Sequence, residues 1–218
     1  AAGPPRERAA VSRAGGADTI RRLAVTGSMF VCGYTAVRGS GLTGGPSIRD
    51  AADGAFAPGF TLLALDSGAF LAWTAIYLGL LAYTVFQWFP SQRRSPRQRG
   101  TGWLAAASLL LNAGWSWAAR AGAIDLTLLV ILALLAVLAA AVHRLNLLPG
   151  RGRAEGLLVD APMGLYLGWI LPAAGANAAS WLAVRQAGFW DATAWAVLAV
   201  AVTSFAGAAA AISGRGRL

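Results

Sequence analysis

Apolar positions in this 218-residue chain gather into six long runs, at about 20–37, 68–89, 103–119, 126–142, 161–184 and 192–212. Each approaches or exceeds the roughly 20 residues that an α-helix needs to cross a hydrocarbon core of about 30 Å. None alternates apolar with polar residues as the strands of a membrane barrel do. The pattern predicts an all-α, polytopic membrane helix bundle. Its breaks are Pro90 after the second run and two basic loops, one with Arg93, Arg94, Arg97 and Arg99, the other with Arg144, Arg151 and Arg153. Residues 1–19 are rich in Ala, Gly, Arg and Pro without periodicity, and are expected as a disordered cytosolic tail, with 213–218 as a second short tail. Residues 38–67 make a long loop containing several glycines, Pro46 and Pro58. Loops of this length in a compact protein are commonly lids or binding loops. The apolar patch Phe60–Leu65 within it suits either the membrane surface or a fold-back over a cavity.

Charge sets the orientation. All 18 basic residues are arginines. With six spans and the amino terminus inside, 14 arginines fall in inner segments and 4 (Arg38, Arg49, Arg120, Arg185) in outer ones, alternating at every loop. That is the positive-inside pattern, and it places both termini in the cytosol of a cell with an inner (plasma) membrane. Scattered between apolar runs, the arginines do not form the basic face of a nucleic-acid-binding domain. A 57% hydrophobic and 12% charged composition lies far from the roughly 25% charged residues of soluble domains. Cys32 is the only cysteine, which leaves no intrachain disulfide and no Cys-based metal site.

Polar side chains inside the spans are few, and their spacing is specific. The second span places Trp73 and Tyr77 four apart, and the third places Asn112 and Trp115 three apart. The fifth carries Tyr166, Trp169, Ala173 and Asn177 at offsets of 0, 3, 7 and 11. Such offsets keep residues on one helical face. Three helices thus each present an aromatic beside a polar group, the usual form of a small-molecule site. Packing accounts for the same residues in another way. Trp and Tyr near helix ends form interfacial belts, as Trp88, Trp103 and Trp190 do in this reading, and a membrane Asn often bonds a neighbouring helix. Gly164-x3-Gly168 permits close helix approach, within the chain or across a homodimer seam.

The runs IYLGLLAYTVFQ, LLLNAGWSW and LYLGWILPAAGANAA, in that order and with that internal spacing, resemble the second, third and fifth helices of the TspO/MBR family. These are tryptophan-rich sensory proteins related to the translocator protein, or peripheral benzodiazepine receptor. The resemblance covers about residues 56–183. It implies a five-helix core, often dimeric, around a pocket for a porphyrin or a sterol-like or synthetic aromatic molecule, closed by the first extracytoplasmic loop. By the same resemblance Trp73, Tyr77, Asn112, Trp115, Tyr166, Trp169, Ala173 and Asn177 become wall residues. The chain departs from the family in its reduced Pro-rich segment, Phe56-Ala-Pro58, in Pro172, expected to kink the fifth helix, and in a sixth, C-terminal span.

Absences narrow the chemistry. No charged residue lies well inside a span, so the groups that mark proton relays and ion-coupled transporters are missing. The lone histidine, His143, sits beside Arg144 at a helix end, more suited to a solvated interface than to haem iron. Nothing pairs a nucleophile with a base. The expectation is a non-enzymatic membrane protein with no required cofactor, a bound porphyrin or haem being the one candidate. Its partners would be lipid and a flat hydrophobic ligand, and it would act as sensor or carrier. An uncoupled transporter of such a ligand, or a structural protein with no small-molecule ligand, are the other readings.

Overall fold

The computed structural model describes residues 5–41, 70–148 and 150–185, with 43, 44, 47, 48, 50 and 54–57 of the long loop. Five long helices carry the architecture: α1 (Pro5–Gly39), α2 (Phe70–Phe86), α3 (Pro96–Arg120), α4 (Ile124–Leu147) and α5 (Ala161–Val184). No strand occurs among the described residues. The expected sixth span, 192–212, the 213–218 tail and the Phe60–Leu65 patch lie outside them.

Each helix packs on two others. α1 lies against α3, α3 against α4, α4 against α5, α5 against α2, and α2 against α1. The ring closes on a core of Val25, Ile76, Leu80, Tyr83, Leu109, Leu134, Leu138, Met163 and Ile170, all nearly or fully buried. Glycine makes the α2–α5 seam close: a Cβ at Gly79 would lie 3.2 Å from Pro162 Cβ. A glycine also turns the chain between α3 and α4. Gly122 takes φ 69°, and the N–H groups of Gly122 and Ala123 bond the carbonyls of Ala119 and Ala118. This is the Schellman arrangement, which satisfies the last carbonyls of a helix. Before α5, one turn at Arg153–Glu155 and a π-turn at Gly156–Asp160 lead into the helix, which then runs through Pro172 to Val184.

The outer surface is apolar. Phe30 is 76% exposed, Leu129 65% and Leu157 69%. Ile124–Leu147 and Arg153–Val184 are long and apolar enough to cross a membrane by length and composition, yet only 33% of each apolar window is buried. Side chains of this kind facing outward all along a helix suit lipid and not water.

The amino-terminal segment corrects the expectation of a disordered tail at 1–19: residues 5–19 belong to α1. The stabilising partner is distant in sequence. Asp18 is buried and accepts from Arg99 Nε at 2.9 Å and Nη2 at 2.5 Å. This hydrogen-bonded guanidinium holds its carboxyl below the usual range, against the opposing effect of burial. A second buried cluster sits at the same end of the bundle. Arg97 of α3 donates to Glu155 Oε2 at 3.1 Å and pairs with Asp160. Gln92 Nε2 (3.1 Å) and the Arg151 backbone N–H (3.0 Å) complete the shell around Glu155. Burial pushes the Glu155 carboxyl up, but these donors outweigh it and its pKa falls below the ordinary value.

Candidate ligand-binding cavity

At the opposite end, where α1, α3 and α5 finish and α2 begins, the ring encloses a cavity of about 630 Å³. α2 contributes Trp73, Thr74 and Tyr77, α3 contributes Asn112, Trp115 and Ser116, and α5 contributes Trp169, Ala173, Ala176, Asn177 and Ser180. Helical spacing aligns each set along one side of its helix. The end of α1 supplies Ala36, Val37, Gly39 and Ser40.

The aromatic rings contact one another in regular geometries. Trp73 and Tyr77 stack with centroids 5.4 Å apart and an interplanar angle of 23°. Trp169 meets Trp73 edge-on at 5.8 Å and 73°, joining α5 to α2 across the space. Offset-stacked and edge-to-face pairs are the favoured arrangements for aromatic quadrupoles. Two polar side chains are tied to neighbouring helices. Asn112 Nδ2 donates to Tyr77 Oη at 3.1 Å and lies 3.4 Å from Cys32 Sγ. The Thr127 hydroxyl of α4 lies 3.4 Å from Asn177 Oδ1.

The indole N–H groups of Trp115 and Trp169 are buried and have no hydrogen-bond partner among the described residues. Buried donors left in this way are costly and uncommon. No charged side chain lines the space among the described residues. The walls therefore offer apolar area, ring faces and a few donors. A ligand complementary to them is flat and largely apolar, with hydrogen-bond acceptors near its edge.

Part of the long loop forms the roof. Gly39 lets it fold back: a Cβ there would stand 2.7 Å from Ile48 Cδ1, and the Ile48 N–H donates to the Gly39 carbonyl at 2.9 Å. The chain reverses at Gly41, whose φ of 82° favours glycine. Ser47, Ile48, Ala55 and Phe56 then reach the cavity. Phe56 packs edge-on against Trp115 at 5.7 Å, and Ser180 Oγ donates to the Ala55 carbonyl at 2.8 Å.

Seven residues singled out from sequence spacing and resemblance thus border one space: Trp73, Tyr77, Asn112, Trp115, Trp169, Ala173 and Asn177. Tyr166 does not. It is fully buried in the core, where its hydroxyl lies 3.4 Å from the Ser108 carbonyl it donates to. Ile48, Phe56, Ser116 and Ser180 are wall residues that spacing did not reveal; only the loop's length hinted at Ile48 and Phe56. His143 is exposed near the end of α4, away from the cavity. No cluster of His, Cys, Asp and Glu able to hold a metal ion occurs among the described residues. An iron porphyrin in this space would find no histidine, cysteine or methionine on its described walls; contacts to the macrocycle and its edge would have to hold it.

A helical ring with outward apolar faces and an aromatic-lined space within it defines a class: a membrane bundle built around an internal cavity. Comparison with protein families identifies the group. The family described as "TSPO-like protein" matches residues 24–217, nearly the whole chain, and the chain belongs to that family. It is a membrane protein of the TspO type. No match was found among curated proteins or solved structures.

Proposed function

We propose that the protein binds a flat hydrophobic ligand, a porphyrin or other tetrapyrrole or a sterol- or lipid-like molecule, in the cavity beneath the long loop. In this reading it acts as sensor or carrier, without catalysing a reaction, in the inner membrane with both termini cytosolic. One observation carries the ligand: α2, α3 and α5 bring Trp73, Tyr77, Trp115 and Trp169 around a space of about 630 Å³, with two buried indole donors that have no partner among the described residues. That volume lies within the roughly 300–1,000 Å³ common for small-molecule sites. The absence of charge on the described walls favours a neutral ring system inside, with any ionised group of the ligand toward the loop.

The test is a titration of the detergent-purified protein with protoporphyrin IX, read by tryptophan quenching, beside a variant carrying Trp169→Phe and Asn177→Ala. Saturable quenching in the parent, weakened several-fold in the variant, supports the reading. Equal and unsaturable quenching in both would refute porphyrin binding at this site, and the same pair of proteins would then be titrated with a sterol.

A further inference from the structure

A second, smaller cavity of about 220 Å³ lies at the other end of the bundle, between α1 and α3. Ala17, Asp18, Arg21, Arg99 and Trp103 line it. Arg21 is only 2% exposed, and none of its three guanidinium nitrogens has a hydrogen-bond partner among the described residues. Its nearest carboxylate oxygen, on Asp18, stands 3.8 Å away and is already bonded by Arg99. Space for the side chain is built into α3. A Cβ on Gly102 would lie 2.7 Å from Arg21 Cδ and 2.8 Å from Nη1, so a glycine there lets the guanidinium lie against the helix.

Charge at this place does not balance. Among the described residues, Arg21, Arg22 and Arg99 gather around one carboxylate, that of Asp18. Arg22 spends its donors on the Asp18 carbonyl and the Thr19 hydroxyl, and lies 4.8 Å above the Trp88 ring. Arg99 meets Asp18 through Nε and Nη2, which leaves Nη1 free of any described partner. An arginine cannot shed its proton to escape burial. A buried guanidinium with no described hydrogen-bond partner, and with its one ion pair shared with Arg99, is therefore a site for an anion, and its planar fork matches the oxygens of a phosphate. The depth is that of a membrane surface. Ile20 and Leu23, beside Arg21 in α1, are 61% and 56% exposed, and Trp103 and Trp88 are 53% and 38% exposed. Amphipathic rings over an apolar band mark the headgroup level.

We propose that Arg21, Arg99 and Trp103 form a binding site for the phosphate group of an anionic membrane lipid, seated between α1 and α3. This site stands apart from the larger cavity and does not depend on what that cavity holds. The lipid phosphate supplies acceptors for the Arg21 fork and for Arg99 Nη1, while its acyl chains run down the apolar outer face of α1.

The experiment places the full chain in nanodiscs of phosphatidylcholine alone or with phosphatidylglycerol, and reads the thermal midpoint and the lipids retained per chain by mass spectrometry of the intact complex. Phosphatidylglycerol should raise the midpoint of the parent and remain bound through detergent exchange. Arg21→Gln should bind it about tenfold more weakly and lose the midpoint shift. In phosphatidylcholine alone the same variant should be at least as stable as the parent, since a buried charge without described hydrogen-bond partners is gone. Gly102→Ala keeps the charge but displaces the guanidinium, and should also lose the shift; it tests the site even where Arg21→Gln folds poorly. Arg94→Gln, removing an exposed arginine outside the site, should retain it. A shift of the same size in Arg21→Gln and Gly102→Ala as in the parent, or one lost equally in Arg94→Gln, would mean diffuse attraction to a basic protein and would overturn the proposal. Inorganic phosphate at matched ionic strength, added to phosphatidylcholine discs, separates the sources. A shift from phosphate that phosphatidylglycerol does not give would overturn the lipid assignment in favour of a soluble anion.

Discussion

Replacing Trp169 with Phe separates a ligand-facing donor from a structural one, because the two roles predict different losses of stability in the ligand-free protein. Trp169 meets Trp73 edge-on at 5.8 Å in the parent; Phe keeps an aromatic ring on that side chain but is smaller than the indole and lacks its N–H. That N–H is buried without a described partner. A buried donor left unmade costs about 1–3 kcal/mol, so its removal offsets much of the packing lost with the smaller ring. The ligand-free midpoint should change little, by less than about 1 kcal/mol in unfolding free energy. Ligand affinity should fall. A hydrogen bond from this N–H to a ligand acceptor contributes about 0.5–1.5 kcal/mol, which is roughly 2- to 12-fold in Kd. Isothermal titration with protoporphyrin IX or a sterol, alongside thermal unfolding of both ligand-free proteins, measures the two quantities. A variant with unchanged affinity that loses about 2 kcal/mol of stability would refute the reasoning: the indole would then be held by the protein itself.

Tyr166→Phe should show the converse, losing up to about 1 kcal/mol of stability with its 3.4 Å bond to Ser108 while leaving ligand affinity unchanged; the same titration and melt read it. Glu155→Ala removes a carboxylate from the buried guanidinium of Arg97 and should cost about 3 kcal/mol, measured by denaturant unfolding in detergent. The pH sign follows from the lowered pKa of Glu155: its contribution is complete above the ordinary value of 4.5 and is lost as pH falls through the lower folded value. A melting series from pH 7 to pH 3 should show that loss in the parent and a smaller one in Glu155→Gln. Cys32, 1% exposed against Asn112, should resist a maleimide in the folded protein and react once it is unfolded, as mass spectrometry of labelled chains will report.

The helices α2, α3, α4 and α5 were legible because apolar composition and the breaks at Pro90 and in the basic loops are local signals. The amino-terminal turns of α1 were not. Their Ala, Gly and Arg content carries no period, and the buried bond that anchors them joins Asp18 to Arg99, 81 residues away. In the cavity, spacing gave the correct side of each helix but not its depth. Tyr166 shares its side of α5 with Asn177, yet it lies three residues below Trp169, about 4.5 Å along the axis. There the space has ended and the core begins. Phe56 and Ile48 could not be found by periodicity, because a loop has none. Their positions follow from Gly39, Gly41 and the bond of Ser180 to Ala55, which only the folded chain brings together.

The two ends of the bundle are fastened by different kinds of bond. Opposite the cavity, Arg97 and Glu155 pair with side chains only 6% and 7% exposed. Around the cavity mouth the charged ties lie in the open: Arg185 meets Asp125 with side chains 53% and 59% exposed, and Arg120 donates to the Arg38 carbonyl. Mobile ions screen exposed charges within about 10 Å at 0.1 M salt and reach buried ones far less. Ionic strength should therefore act most on the cavity rim, less on the Asp18–Arg99 pair, where Arg99 is 46% exposed but Asp18 only 7%, and least on Arg97 and Glu155. Salt thus becomes a lever weighted toward the mouth of the cavity, and the rate of ligand entry should respond to it more steeply than the midpoint of unfolding.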